Sequence, residues 1–537
     1  MRSLKICMIA LILVFGVAIA DADQPRWIVV LSQQLDEVVA PLCDHRRTQG
    51  YDVVVLHIED IEGDDPTEQA EALQKRLRDL SAESTGRDFV LLVGDMLRAD
   101  EKDEDWPRVP PCAGTHGRMA NLPTDYAFGC SEGPLPDVAV GRFPAGTAAE
   151  LQVMVDKTLA FERQGVAADS GLRWRNRINM IVGHPGGTNH LERTMSEAFI
   201  NNAIGEGFAR IHPLWQLESL VHTPSSPFYL HQSQLRELTD RMFSDGPELF
   251  TIFLGHSHAV GFASTGGFFF NHDDWKTLPG TDAGILFSTG CFGSQIQGAH
   301  GEGYAQASLR SSGGSVAAIG ATGLSYAAAG KWAIDGFFEC VADDQPPQLL
   351  ADYWMAALKG IATSPMPDEV FLALDQADGS RGTTSIDQQR LEHLEMWVLF
   401  GDPALRVPAE SPALELNAEW NPDADGHVIE ISSPLSDEWS DCEFVVIIER
   451  PLNSEATDLQ RVRRRKELEQ LDIILENWNK SNRFEIARKT ATVTDEGIRL
   501  SIELPDEIPW DHLVIRALMQ SGDKRQVGLA EITVPRD

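Results

Sequence analysis

Two short stretches carry side chains that can do covalent chemistry together. Residues 249–254 form an apolar run that ends in Gly255-His256-Ser257-His258, and residues 285–289 form another that ends in Gly290-Cys291-Phe292-Gly293. A thiol attacks carbon well only as its thiolate, and a neighbouring imidazole with exposed backbone N–H groups brings a cysteine to that state. In an open parallel sheet, ligands collect beyond the carboxyl ends of the strands. Two adjacent strands with such ends would set His256 and Cys291 beside one cleft, which is the logic of a Cys–His hydrolase. Taken singly, a cysteine after a strand is more often an inert buried thiol, and a lone histidine a satisfied structural group. The pairing is what points to chemistry. A metal pair made of His256 and His258 is the weaker alternative, because no third ligand has a clear motif.

The elements that must hold these residues follow from hydrophobic periodicity. Short β-branched runs at 27–31, 53–58, 89–93, 137–141, 178–182, 249–254, 285–289 and 315–319 predict strands buried on both faces, hence a mainly parallel sheet. Helical patterns lie between them. Asp65-Pro66 opens one, with Ala70, Leu73, Leu77 and Leu80 at helical spacing. Thr147 to Glu150 has the capping-box pattern. Met195, Phe199 and Ala203 mark a helix expected to stop near Gly205, and Leu350, Tyr353, Trp354 and Leu358 one that Gly360 can terminate. These stripes read as core positions and not as ligand-lining surfaces. After about residue 408, seven short alternating runs with turn signals predict a β-sandwich. A helical insertion at roughly 458–480 interrupts it, and its Arg461, Arg463, Arg464, Arg465 and Lys466 read as a solvated face, with a contact to the acidic remainder as the sharper alternative.

Composition bounds the function. The chain has 537 residues, 43% hydrophobic and 23% charged, a globular balance. Forty-five Lys and Arg against 81 Asp and Glu leave a net charge of −36, a field that repels phosphate backbones, so nucleic acid is not expected as a partner. Residues 1–20 combine Arg2 and Lys5, an apolar run and Ala18-Ile19-Ala20 before Asp21, the pattern of a secretory signal peptide, with an uncleaved N-terminal anchor as the alternative because the run nearly spans a bilayer. No later apolar run reaches spanning length, so no transmembrane segment is expected in the mature chain. The mature protein is expected to be exported, to the periplasm, the medium or the cell surface. No Cys-x-x-Cys pair occurs. Cys112 and Cys130 bracket a Gly/Pro-rich segment and could bridge or stay separate thiols.

Several segments, taken as a set and in order, resemble the gingipain-type cysteine peptidases, of the caspase-like clan. They are Phe89 to Asp95 (FVLLVGD), Asp137 to Pro144 (DVAVGRFP), the Gly255-His256 and Gly290-Cys291 strand ends, Gly313 to Ser325 (GGSVAAIGATGLS) and Leu399 to Val407 (LFGDPALRV). The resemblance spans roughly 25–407. It implies an α/β fold with a caspase-like, mainly parallel sheet flanked by helices in two subdomains, 25–165 and 172–407, followed by an immunoglobulin-like sandwich over 408–537. It further implies a cysteine endopeptidase acting on proteins or peptides, with Cys291 as nucleophile and His256 as general acid/base. Backbone N–H groups around Cys291 and Ser257, with Gly290 in the same turn, would form the oxyanion hole. The chemistry would need no cofactor. The resemblance allows a structural calcium ion, with Asp125 of Thr124 to Phe128 as a candidate. Trp332 is a candidate for the cleft wall, with ordinary packing as its other and leading reading, and the loop 259–275, with Gly266 and Gly267, is a candidate border of the cleft.

The chain also departs from the family pattern. Ser257 stands where the family usually has glycine. The loop Gly183-His184-Pro185-Gly186-Gly187 carries no acid at the spot where relatives place one near the histidine. His184 and the nearby Glu192 are the candidate modulators in its stead. Arginine specificity, which depends on a carboxylate from this loop, is therefore not carried over.

Overall fold

The computed structural model describes residues 24–96, 108–116, 118, 121–164, 174–184, 186, 190–244, 248–264, 267–280, 284–296, 302–366, 369–373, 384–422, 424, 426–434, 439, 441–493, 497–522 and 524–536. The expected signal peptide lies outside the described residues, as does Gly266.

Ten strands make one sheet, in the order Asp52–His57, Arg26–Leu31, Asp88–Val93, Ala139–Phe143, Trp397–Phe400, Ala317–Ala321, Ile285–Ser288, Phe250–Leu254, Arg177–Val182 and Gln216–Val221. The four strands before Trp397–Phe400 are mutually parallel, and so are the five after it. Trp397–Phe400 joins the two sets, parallel to Ala139–Phe143 and antiparallel to Ala317–Ala321. Helices cover both faces, which is why the central runs are apolar throughout: Asp88–Val93, Ile285–Ser288 and Ala317–Ala321 are buried at every position. The fold is thus the mainly parallel α/β sheet that the sequence pattern predicts.

Two sheet strands were not expected. Gln216–Val221 hides its character because Glu218 and Ser219 interrupt the apolar run of this last strand of the sheet. Trp397–Phe400 directly follows helix Ile386–Met396, without an intervening turn signal. Two helices also run past their expected ends. His190–Arg210 passes through Gly205, and Leu350–Thr363 passes through Gly360. Gly360 is a packing glycine instead of a stop: a Cβ there would lie 2.2 Å from the carbonyl of Trp332, and one at Gly336 would lie 2.0 Å from that of Ala356. The bare backbones let Ala327–Val341 and Leu350–Thr363 touch directly. The capping expectations fare better. Asp65 accepts from Thr67 and Glu68 N–H, while Thr147 accepts from Glu150 N–H and the Glu150 carboxylate turns to Gly146 N–H.

The expected loop at 259–275 is ordered secondary structure. Ser257–His258, Gly261–Ser264 and Gly267–Asn271 form a small antiparallel sheet, followed by helix His272–Thr277. Phe262, Phe269 and Phe270 bury themselves beneath it, and the Phe262 ring stacks on Phe253 at 4.0 Å. This buried aromatic set, unread in the sequence, packs the segment onto the His256 strand.

Buried charge pairs tie distant segments. Asp402 accepts from Trp27 Nε1 at 3.0 Å and from Arg46 at 3.0 and 2.7 Å, while Glu162 takes the remaining Arg46 nitrogen at 2.8 Å. Arg142, in the DVAVGRFP segment, is held by both oxygens of Asp125 at 2.9 and 2.7 Å. Lys157 donates to the carbonyls of Ser308, Ser311 and Ser315, which ties helix Ala148–Gln164 to helix Tyr304–Arg310 and to the segment leading into Ala317–Ala321.

After 408, a three-stranded sheet (Asn417–Trp420, Val428–Ser433, Ile498–Glu503) faces a four-stranded one (Glu485–Thr492, Glu443–Glu449, His512–Ser521, Lys524–Thr533) across a core of its own. Buried Arg516 pairs with Glu449 at 2.6 Å and donates to the Trp215 carbonyl at 2.9 Å, so this sandwich sits against the α/β sheet. Helix Leu471–Asn482 covers the Gln216–Val221 edge of the sheet: Asn482 Oδ1 accepts from Ser219 N–H, and Trp478 Nε1 donates to the Ser219 carbonyl. Of the basic cluster, Arg464 reaches Glu197 at 3.0 Å, so the contact reading holds for that residue while its four basic neighbours are exposed. No helix among the described residues is long and apolar enough to cross a membrane.

Candidate active site

The register of two neighbouring strands brings His256 and Cys291 together. Ile285 pairs with Phe250 and Ser288 with Phe253 in a parallel ladder. Thr289 N–H donates to the Phe253 carbonyl at 3.0 Å, so the alignment continues past the strand ends. Three residues beyond the last pair, Cys291 stands beside His256, and both line one cavity of about 480 Å³. Gly255, just before the histidine, has φ +142°, and a Cβ there would press on the Gly183 backbone at 3.0–3.1 Å.

His256 is exposed and rests against Gly186: a Cβ on that glycine would lie 2.1 Å from His256 Nε2. Sequence reasoning missed this residue, although its glycine in a strand-end loop was the available signal. His184 sits in the same loop and lines the same cavity. Its Nδ1 accepts from Gly186 N–H at 2.9 Å, and burial, with the nearby His222 and His256, holds its pKa below the ordinary value. His184 is therefore a neutral imidazole with its proton on Nε2. It supplies no negative charge to an imidazolium. Glu192 falls on the first turn of helix His190–Arg210, and its side chain lies outside the described residues.

Around Cys291, the Sγ–H donates to the Ser325 carbonyl at 3.6 Å. Ser257, the departure from glycine, turns its hydroxyl onto the Cys291 carbonyl at 2.8 Å, and Tyr304 OH lies 3.4 Å behind it. Its Cβ thus braces the nucleophile turn. Gly290 makes room for that contact, since a Cβ on it would lie 2.0 Å from Ser257 Oγ. The Gly290 N–H donates inward to Ser288 Oγ at 3.3 Å, which removes it from the expected oxyanion set. Ala263 N–H donates to the His256 carbonyl, so in the antiparallel ladder Ser257 directs its own N–H away from that strand. Phe292 takes a left-handed conformation (φ +59°), and its N–H donates to the Gly323 carbonyl at 2.8 Å.

Burial pushes Cys43 and Cys130 up to about 11, and Cys112 and Cys340 up to about 12. Cys112 and Cys130 remain separate thiols. Asp125 does not fit a calcium ion, because Arg142 occupies both its oxygens. Among the described residues, no group of three or more His, Cys, Asp or Glu side chains is placed to hold a metal ion.

The cavity walls correct one expectation and decide between the two readings of Trp332. Met195, Phe199 and Ala203 line the cavity and are only half-buried, and Phe199 also packs against the core. Periodicity marks the side of a helix that avoids water, whether protein or a cavity lies against it. Trp332 is fully buried, 0% exposed, with the Arg390 guanidinium 4.0 Å above its ring, and does not reach the cleft. Tyr326 and Ser325 stand there instead, at the end of the GATGLS segment. Gly267 lies on its own strand and is not part of the cavity wall.

Tyr326 is held from behind. Its N–H donates to His393 Nε2 at 2.8 Å, His393 Nδ1–H donates to the Gln389 carbonyl, and Arg118 lies 3.5 Å over its ring. Burial, with the Arg118 charge beside it, pushes His393 down to about 3. An unfolded chain titrates this group near 6.5. Between those values the unfolded state binds the extra proton, so the contribution of His393 to stability is constant above pH 6.5 and falls as the pH drops, by about 1.4 kcal/mol per unit. Urea unfolding from pH 7 to 4.5 should show a shallower loss for His393→Gln than for the native chain; equal slopes would refute the assignment.

An open sheet that presents a thiol and an imidazole at adjoining strand ends is the architecture of the caspase-like cysteine peptidases. The chain belongs to Peptidase family C25, which it matches over residues 20–408. Its fold is also that of a complex of Porphyromonas gingivalis RgpB pro- and mature domains, with TM-score 0.52 and 17% identity over 95% of this chain and 100% of that one. The Arg-specific cysteine proteinase gingipain R (RgpB) gives TM-score 0.52 and 16% identity over 95% and 98%. Among curated proteins none matches the chain by sequence.

Proposed function

We propose that this chain is an exported cysteine endopeptidase that cleaves protein or peptide substrates through Cys291 and His256. The observation that carries the reading is the strand register, which sets the thiol and the imidazole at the mouth of one cavity. In the proposed reaction the Cys291 thiolate adds to the scissile carbonyl. The N–H groups of Cys291 and Ser257 stabilise the oxyanion. His256 protonates the departing amine, which leaves an acyl thioester. Water, deprotonated by His256, then releases the acid and regenerates the thiol. The backbone contacts of Ser257 and Ser325 keep the Cys291 turn in place without a charged partner for the histidine.

The test is incubation of the mature chain with a complex peptide library under reducing conditions, with Cys291→Ala alongside and cut sites read by mass spectrometry. Cuts made by the native chain and absent with Cys291→Ala establish the peptidase. Equal products from both, or none from a folded chain with a free thiol, would point to a silent relative that binds without cutting.

A further inference from the structure

The cavity beside Cys291 is large and mainly apolar. One wall is Met195, Phe199 and Ile200 on helix His190–Arg210; the other is Ile334 and Phe338 on helix Ala327–Val341, with Val370 near the rim. Its volume of about 480 Å³ exceeds that of any single side chain and falls within the usual range for a small-ligand pocket, about 300–1,000 Å³. The charged groups on the two wall helices are already matched. Asp335 accepts from Lys331 at 2.7 Å and from Arg210 at 2.8 Å, and Glu206 lies 3.6 Å from Lys331. Glu369 is exposed, so its carboxylate keeps its water.

We infer that this cavity is the pocket for the substrate side chain on the acyl side of the cut bond, and that it selects a bulky apolar residue such as leucine, methionine or phenylalanine over lysine or arginine. The inference rests on Cys291 being the attacking group, because a carbonyl within reach of its Sγ places that side chain against the walls lined by Phe199 and Ile334. An apolar side chain gains from leaving water. An ammonium or guanidinium group must give up its hydration, and the Asp335 carboxylate that could receive it already holds two cations. An anionic side chain meets the same difficulty at Lys331, which Asp335 and Glu206 neutralise.

The experiment compares kcat/KM over peptides that differ only at this position. Leucine, methionine and phenylalanine should exceed alanine, lysine and arginine at least about tenfold, the discrimination expected of a pocket that reads apolar volume. A flat profile, or a preference for lysine or arginine, overturns the inference. Phe199→Asp, which puts an unmatched carboxylate into the wall, should move the lysine-to-leucine ratio at least about tenfold toward lysine; an unchanged ratio also overturns it. Calorimetric binding of leucine- and arginine-ended peptides to Cys291→Ala separates the two readings. Tighter binding of the leucine peptide, with no cutting by the native chain, would retire the peptidase reading and keep the pocket. Equal binding would retire the pocket.

Discussion

A His256→Ala chain is expected to cleave peptides about 10²–10⁴-fold more slowly while remaining folded. The side chain is exposed, so its removal opens no cavity. What is lost in the proposed reaction is proton donation to the departing amine, about 3–5 kcal/mol of transition-state stabilisation. The loss should fall on kcat, with KM little changed, because the imidazole does not fill the side-chain pocket. It should also depend on the leaving group. A thioester or activated ester needs no proton to depart, so the variant should recover most of its rate on such substrates. An equal loss on amide and ester would sink the assigned role and suggest that the substitution disturbs the Cys291 turn. Gly186→Ala belongs to the same test, because its new methyl would drive into Nε2 and displace the ring.

Replacing Asp402 with alanine should cost about 3–5 kcal/mol of stability, the usual penalty for removing one partner of a buried ion pair. The Arg46 and Asp402 side chains are both fully buried, at 0% exposure. Asp402 also accepts from Trp27 Nε1 and from Ala404 N–H, so alanine orphans donors on three segments at once. Glu162 remains beside Arg46 and limits the damage. Asp402→Asn keeps an acceptor for Trp27 and should lose less. Urea unfolding followed by tryptophan fluorescence measures both variants. A loss below about 1 kcal/mol for alanine would show that Glu162 alone satisfies the arginine, contrary to the ledger of contacts.

The residues of the LFGDPALRV segment show how far a sequence can be read here. Its pattern marked Asp402 as part of a recognisable set. Its partners, Trp27 and Arg46, lie 375 and 356 residues away, and nothing local could name them. The Ser257 departure shows the same limit. Its identity was plain, but whether its Cβ would crowd a substrate or brace the thiol depended on Gly290 across the strand gap. Trp332 had two readings, cleft or core, and the close crossing of two glycine-bearing helices decides for the core.

By itself, the sequence determined the α/β class, eight of the ten sheet strands and the reactive strand ends. These rest on local signals: β-branched runs and glycines that free the backbone where a strand must turn. Tertiary structure alone decided that Gly186 touches the imidazole and that the Met195–Phe199–Ala203 stripe faces a pocket. Periodicity records which side of a helix avoids water. Only packing settles whether that side meets another helix or an empty space shaped for a ligand.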